Sequence, residues 1–251
     1  MESNEFANCL TRIQTHWTMV FQAHQQEGDR GVSAQRQLLL RYYGAVFRYL
    51  VGIVRNPATA EELAQEFAVR FMRGDFKNAD PQRGRFRDFL KTAVRHLAID
   101  HFNAQKKERQ KGPVPLPTDG FEPPAREDGD DSAFVQSWRE ELMAQAWEAL
   151  HRFEEQSGTP HYTVLRYKTE HPEARSAQMA AVLGPRLGKT FTEATMRQML
   201  HRAREKFAAL LLDEVIRSLQ TAETDRVEQE LVELRLLEYC KPALRQRERS
   251  S

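Results

Sequence analysis

The sequence has few cysteines and no long apolar run. Its two cysteines, Cys9 and Cys240, lie near opposite ends of the 251 residues and fit no metal-ligand spacing. We therefore favour two reduced thiols in a cytoplasmic protein over one long-range disulfide. No stretch approaches the roughly 20 apolar residues of a membrane span, and residues 1–17 lack the apolar centre of a signal peptide. We expect no membrane partner.

Strand-like alternation is almost absent, and so are the residue groups that catalysis requires. The eight histidines are scattered, and the closest pair, His96 and His101, does not share one helix face well. There is no Gly-rich phosphate loop and no paired-carboxylate motif. We therefore expect no enzyme activity, no metal site, no cofactor and no small-molecule substrate.

Residues 112–132 form the clearest boundary in the chain. Five prolines in this stretch exclude a helix or a central strand. Six acidic residues against one arginine give it a net charge of −5. We interpret it as an acidic, proline-rich linker that joins two folded domains.

On both sides of this linker, apolar residues repeat with the spacing of helices. The predicted helices cover residues 33–55, 59–73, 85–109, 133–155, 160–170, 176–183, 193–219 and 225–239. Thr59 and Glu62 fit a capping box at the start of the second helix. Gly184-Pro185 is expected to end helix 176–183, and the last helix is expected to end before Pro242. The predicted fold is all-α, with two helical domains.

The third predicted helix carries a strong local charge. Residues 85–111 hold eight Lys or Arg against three acidic residues, although the whole chain has a net charge of only +1. Such a stripe can neutralise several DNA phosphates, while an ordinary solvated helix face is the alternative. The candidate DNA-binding residues are Arg85, Arg87, Lys91, Arg95, His96, Lys106 and Lys107, together with the loop aromatic Phe76.

A second basic cluster lies at the start of the predicted helix 193–219. Helix 176–183 precedes it, and two helices joined by a turn form the pattern that lays the second helix in the major groove. Residues in the first turns of that helix can reach base edges. The candidates are Thr195, Arg197, Gln198, His201 and Arg202. A plain helical hairpin is the alternative interpretation.

The second predicted helix has the opposite character. Glu62, Gln65 and Glu66 form a polar face opposite Leu63 and Phe67. An acidic face repels DNA but can bind a basic or polar protein surface. Most faces of this kind are only solvated.

These segments, in this order, resemble an extracytoplasmic-function sigma factor of the sigma-70 family. The sequence AEELAQEF at residues 60–67 resembles region 2.2, although Ala68 takes the place of the family's Phe. The sequence FRDFLKTAVRHLAIDHF at residues 86–102 is similar to the region 2.3–2.4 helix. The sequence ATMRQMLHRAR at residues 194–204 resembles the end of region 4. The nine residues 185–193 between Gly184 and Ala194 exceed the family's turn of about three.

The resemblance implies partners for each part of the chain. Glu62, Leu63, Gln65 and Glu66 would bind the β′ clamp helices of RNA polymerase core. The basic helix would bind the promoter −10 element, and the loop 75–84 would receive a melted base. The region 4 helix-turn-helix would bind the −35 element and the β flap.

The resemblance also implies a domain order. The domains are an N-terminal extension (1–32), region 2 (33–111), the linker (112–132), region 4 (133–219) and a C-terminal helical extension with a polar tail (220–251). Similar extensions occur in sigma factors of planctomycete-type bacteria, and the resemblance allows for an anti-sigma partner. The implied function is promoter recognition and melting by polymerase in the cytoplasm. The alternatives are a helix-turn-helix regulator that does not join polymerase, and a helical scaffold.

Overall fold

The computed structural model describes residues 30–73, 85–111, 131–219 and 221–250. Within these ranges it has nine helices: α1 (Arg30–Val54), α2 (Pro57–Arg73), α3 (Phe86–Lys111), α4 (Asp131–Ser157), α5 (His161–Glu170), α6 (Ser176–Leu187), α7 (Glu193–Leu219), α8 (Thr224–Glu233) and α9 (Leu237–Ser250). The same ranges contain no strand, which confirms the all-α prediction. No helix in them combines the length and the apolarity that crossing a membrane requires.

The chain divides into two compact units between Trp138 and Arg139. This division falls inside the predicted second domain, 133–219, rather than in the linker. It also falls inside α4, whose first two turns belong to the first unit.

Helix α1 supplies the largest share of the first unit's core. Between Tyr42 and Leu50 its buried side chains lie on more than one face of the helix, so this part of α1 is largely enclosed. The buried side chains include Leu39, Tyr42, Tyr43, Val46, Phe47, Tyr49, Leu50 and Ile53 of α1, Leu63 and Phe67 of α2, and Leu90, Val94 and Leu97 of α3. The three helices therefore share one apolar centre.

The residue that caps the start of α2 is not the predicted one. Arg55, with φ 53°, follows the last residue of α1. The Asn56 Oδ1 atom then accepts a hydrogen bond of 3.1 Å from the Thr59 N–H. Pro57 opens α2, where a missing N–H costs nothing. The predicted Thr59–Glu62 capping box is therefore wrong, because Asn56 already satisfies the N–H of the third helical residue.

Two aromatic rings bind the start of α4 into the first unit. The Trp138 ring stacks on Tyr42 with centroids 4.4 Å apart, and Phe134 meets Tyr49 edge-on at 5.0 Å. Both Phe134 and Trp138 are fully buried. Between them, the Ser137 carbonyl accepts a hydrogen bond of 3.3 Å from Arg48 Nη2. Burial of this aromatic surface explains why these turns belong to the first unit.

Helix α7 is the central helix of the second unit. Helices α5, α6, α8 and α9 all pack against it. Its buried stripe has the spacing of one helix face. The stripe contains Met196, Leu200, Ala203, Phe207, Leu211 and Val215.

The C-terminal segment is two helices, so the prediction of one helix over 225–239 followed by a polar tail is wrong. The residue that separates them is Arg235, whose φ is 57°. The Leu236 N–H donates to the Leu231 carbonyl (2.8 Å) and the Arg235 N–H to the Val232 carbonyl (3.0 Å). This Schellman arrangement ends α8 and turns the chain into α9. Helix α9 then continues through Pro242 to Ser250.

Helix α9 is fixed to α7 at two points. The Tyr239 ring meets Phe207 edge-on, with centroids 5.9 Å apart. Further along, Arg247 Nη1 lies 2.6 Å from Asp213 Oδ1. Between these points, Cys240 is a free thiol with no exposed surface, and burial raises its pKa to about 12. Cys9 lies outside the described residues.

Candidate nucleic-acid interface

The polar face of α2 is exposed as predicted, except at Leu63. Glu62, Gln65 and Glu66 are all exposed. Glu66 forms an ion pair with Arg70 one turn further on, which partly balances the acidic charge. Leu63 is only 3% exposed. Its side chain packs α2 on the core, and its contact with polymerase stays a prediction.

The predicted DNA-binding residues of the first unit do not form one surface. Lys91 and Arg95 are half-buried and lie one turn apart on α3, while Lys106 and Lys107 are exposed near its end. Arg87 is only 4% exposed, and its contact with DNA stays a prediction. Its position follows the buried stripe of α3, because residues 87, 90, 94 and 97 share one helix face. Phe76 lies outside the described residues.

Two more of the predicted DNA-binding residues, Arg85 and His96, lie at the start and in the middle of α3. Arg85 immediately precedes α3, and its Nε donates to Asp88 Oδ2 at 2.9 Å. His96 lies about 100° around the helix from Arg95. It is exposed at a cavity of about 170 Å³. The cavity is lined by Arg70, Phe89, Thr92, Ala93, His96, Leu97 and Asp100. His96 therefore faces α2 rather than continuing the Lys91–Arg95 stripe.

The turn between α6 and α7 is shorter than the sequence suggested. Helix α6 does not end at Gly184-Pro185 but continues to Leu187. The turn therefore comprises only the five residues 188–192. Gly188, with φ 60°, ends α6, and the Lys189 N–H donates to the Gly184 carbonyl at 3.0 Å. A Cβ atom at Gly184 would lie 2.9 Å from the Lys189 carbonyl oxygen, so the turn closes directly over this glycine.

The first turn of α7 is held by two threonines. The Thr192 Oγ1 accepts from the Thr195 N–H at 3.1 Å, and the Thr195 Oγ1 accepts from the Thr192 N–H at 2.8 Å. These reciprocal bonds form a capping box with Thr in place of the usual Glu. Thr195, predicted to contact a base, is exposed but its hydroxyl is engaged in the cap.

The other predicted base-reading residues lie on the solvent side of α7. Arg197, Gln198, His201 and Arg202 are all exposed, opposite the buried stripe. Arg197 Nη2 lies 2.6 Å from Glu193 Oε1, and His201 Nε2 lies 3.3 Å from Glu205 Oε1. Both pairs are more than half exposed, so they add little stability and can exchange for DNA partners.

A basic groove beside α7 contains Arg175, which the sequence analysis missed, and Arg204, the last residue of the motif at 194–204. It has a volume of about 670 Å³ and is lined by Lys168, Pro172, Glu173, Ala174, Arg175, Ser176, Glu193, Arg197, Leu200, His201 and Arg204. Arg175 and Arg204 add positive charge next to the predicted set. The Lys168 ammonium instead donates to the Ala174 carbonyl at 2.9 Å, which stabilises the turn between α5 and α6. Arg175 is 22 positions before Arg197, so no local spacing could have associated the two.

His161 lies in the core of the same unit, close to the positive charge of α7. Its ring stacks on Phe153 at 5.6 Å, and Lys206 Nζ lies 4.2 Å from the centre of that Phe153 ring. Burial lowers the pKa of His161; Lys206 and Arg202 lower it further, while Glu154 acts in the opposite direction. Its Nδ1 has no hydrogen-bond partner among the described residues. These surroundings therefore favour the neutral form of the His161 ring.

Taken together, the first unit has an acidic face and a basic helix, and the second unit has two helices joined by a five-residue turn, the second of them basic at its start. The described residues contain no group of three His, Cys, Asp or Glu side chains that could hold a metal ion.

Comparison with known families finds a match within the first of these units. Residues 38–108 match the family model of sigma-70 region 2. The match runs from α1 to α3 and covers less than a third of the chain. It supports a sigma factor of the sigma-70 family, with a role in promoter recognition by RNA polymerase. Sigma factors are not an enzyme family. No curated protein and no solved structure is significantly similar to the chain.

Proposed function

We propose that this protein is a sigma factor of the extracytoplasmic-function type, which joins RNA polymerase core in the cytoplasm and directs it to two promoter elements. The match of α1–α3 to region 2 carries the proposal. A second, separate basic helix in the other unit supports it, because a two-element promoter requires two DNA-binding faces. The helical extension α8–α9 suits the planctomycete-type subgroup.

In the first unit, the exposed Glu62, Gln65 and Glu66 of α2 are proposed to bind the β′ clamp helices. Lys91 and Arg95 of α3, with Lys106 and Lys107, are proposed to hold the backbone of the −10 element. Cationic side chains in a row neutralise successive phosphates, so this contact should weaken as salt is added.

In the second unit, α7 is proposed to enter the major groove at the −35 element. Gln198 is the strongest candidate for base reading, because its exposed amide offers both a donor and an acceptor to a base edge. Arg197 must first leave Glu193. Arg175 and Arg204 are proposed to hold the adjacent phosphates, and the β flap is the proposed polymerase partner of this unit.

Glu66→Lys tests the polymerase contact. We expect the variant to lose binding to polymerase core, because it reverses the charge at the centre of the face and places a second cation one turn from Arg70. Glu148→Lys makes the same charge change at an exposed position of α4 in the other unit and should bind normally. Pull-down on immobilised core, with far-UV circular dichroism as a folding control, measures both. Normal binding by Glu66→Lys would disprove the assignment of the face.

Gln198→Ala tests the DNA contact of the second unit. We expect altered discrimination at one −35 base pair, by about 1–3 kcal/mol at the contacted position. Transcription in vitro from a set of single-base −35 variants measures it. A uniform response across the set would contradict base reading by Gln198. A chain that binds these DNA variants but never binds core would instead be a helix-turn-helix regulator.

A further inference from the structure

The first turn of α7 carries a carboxylate where the proposed function brings DNA phosphates close. Glu193 is the first residue of α7, and no other residue between it and Arg204 is acidic. Its side chain is 56% exposed, and its Oε1 atom lies 2.6 Å from Arg197 Nη2. A carboxylate at this position is stabilised by the helix dipole, but it also repels phosphate. A DNA-binding helix therefore gains from Glu193 only where the carboxylate has a partner on the DNA.

Glu193 and Arg197 present their charged groups on the same side of α7. Residues four apart are neighbours on a helix surface, and both side chains are more than half exposed. The guanidinium is only a hydrogen-bond donor, and the carboxylate is only an acceptor. When Arg197 turns to a base, the two groups remain neighbours, so that two donors lie beside an acceptor.

The G·C pair is the base pair that matches this order. Across its major-groove edge the groups are acceptor, acceptor and donor, namely N7 and O6 of guanine and then the N4 amino group of cytosine. An A·T pair instead places its donor between two acceptors, so a carboxylate beside the arginine would meet an acceptor. The Arg197–Glu193 pair is therefore complementary to G·C and not to A·T.

Nearby cations lower the cost of bringing a carboxylate to DNA. Glu193 lines the basic groove together with Arg175 and Arg204. In the proposed complex these two arginines hold phosphates beside α7 and so neutralise part of the charge that would repel Glu193. The remaining cost is that of a carboxylate without a partner, and a hydrogen bond from a base removes it.

We propose that Glu193 is a specificity-determining residue that reads one G·C pair of the −35 element together with Arg197. Arg197 donates to N7 and O6 of the guanine, and the Glu193 carboxylate accepts from the N4 amino group of the paired cytosine. The proposal rests on the proposed function, because it requires the start of α7 to lie in the major groove. It adds the identity of one base pair to that function.

Glu193→Ala is tested by selection from a duplex library of random sequence, with the complete complex of this chain and polymerase core. Alanine is used because a glutamine amide would still offer an acceptor. Glu238→Ala is the matched control, since it removes an exposed carboxylate from the first turn of α9. Sequencing of the bound duplexes gives the base preference at each position. We expect wild type and Glu238→Ala to select G·C at one −35 position, and Glu193→Ala to lose at least about fivefold of that preference.

N4-methylcytosine at that position isolates the contact, because the methyl group replaces the donor hydrogen in the major groove and leaves the base pair intact. The wild-type complex should bind the methylated promoter about fivefold more weakly, whereas Glu193→Ala should bind both promoters equally. If wild type selects no such G·C pair, or if Glu193→Ala selects it as strongly as wild type does, Glu193 does not read cytosine although the chain still acts with polymerase. An equal loss of binding by both proteins on methylation has the same meaning. Failure of wild type to bind core would overturn the proposed function, and the role of Glu193 with it.

Discussion

Replacing Gly184 by alanine should destabilise the turn between α6 and α7, although alanine is ordinarily the better helix former. Inside a helix, Gly→Ala usually stabilises by about 0.5–1 kcal/mol. At position 184 the added Cβ would lie 2.9 Å from the Lys189 carbonyl oxygen, which is backbone and cannot rotate away. The turn must shift, and the 3.0 Å hydrogen bond from the Lys189 N–H to the Gly184 carbonyl is strained with it.

The net effect follows from the sizes of these contributions. Overpacking costs typically about 1–3 kcal/mol, and a weakened hydrogen bond adds about 0.5–1.5 kcal/mol. After the gain in helix propensity is subtracted, we expect Gly184→Ala to lower the free energy of unfolding by about 2 kcal/mol, within a range of about 0.5–4 kcal/mol. Because the turn positions Thr192 and the start of α7, the variant should also bind −35 duplex DNA several-fold more weakly.

Gly52 of α1 provides the matched control. It is exposed within a helix, and no atom lies within 4 Å of the position that a Cβ atom would take there. Gly52→Ala should therefore raise the free energy of unfolding by about 0.5–1 kcal/mol. Urea unfolding followed by circular dichroism measures both variants. If both substitutions stabilise the protein to the same extent, the close approach of Lys189 to Gly184 does not exist.

Two further predictions concern buried groups of the second unit. Because the pKa of His161 is lowered in the folded chain, the unfolded chain binds the proton more readily, and stability should fall as the pH decreases below about 6.5. His161→Phe should flatten the dependence of Tm on pH between about 5 and 7, and an unchanged slope would contradict neutral burial. In a Cys9→Ser background, Cys240 should resist thiol reagents at pH 8 and react fully in urea, since its pKa is raised to about 12 by burial. Rapid labelling of the native protein would show that α9 does not cover this thiol.

The existence and approximate position of most helices were predictable from the sequence, because apolar residues recur with the spacing of a buried helix face. Predictions of helix ends were less successful, because a Gly-Pro pair predicts a stop from local preference alone. At Gly184-Pro185 the chain continues as a helix to Gly188, where a positive φ ends it. Conversely, α8 ends at Glu233 and the chain turns at Arg235, which carries no stop signal, because the buried Leu231, Leu234 and Leu236 determine the path of the chain.

The candidate site was predictable where side chains point to solvent and less so where charge is buried. Composition marked α3 as basic, but only the packing shows that Arg87 belongs to the buried stripe of the helix and that His96 faces α2. The same limit applies to Phe134 and Trp138. Their apolar character was evident, but the sequence placed them with the domain that follows them rather than the one that precedes them.

The docking of α9 along α7 has a consequence for how the chain can vary among relatives. The buried residues of α9, Cys240, Ala243 and Leu244, belong to the same core as α7. The outward positions of α8 and α9, such as Glu228 and Arg245, face only solvent. We therefore expect the sequences of relatives to vary at the solvent-facing positions of α8 and α9 and to change little at the buried positions. Loss of the whole pair should require compensating polar substitutions along α7.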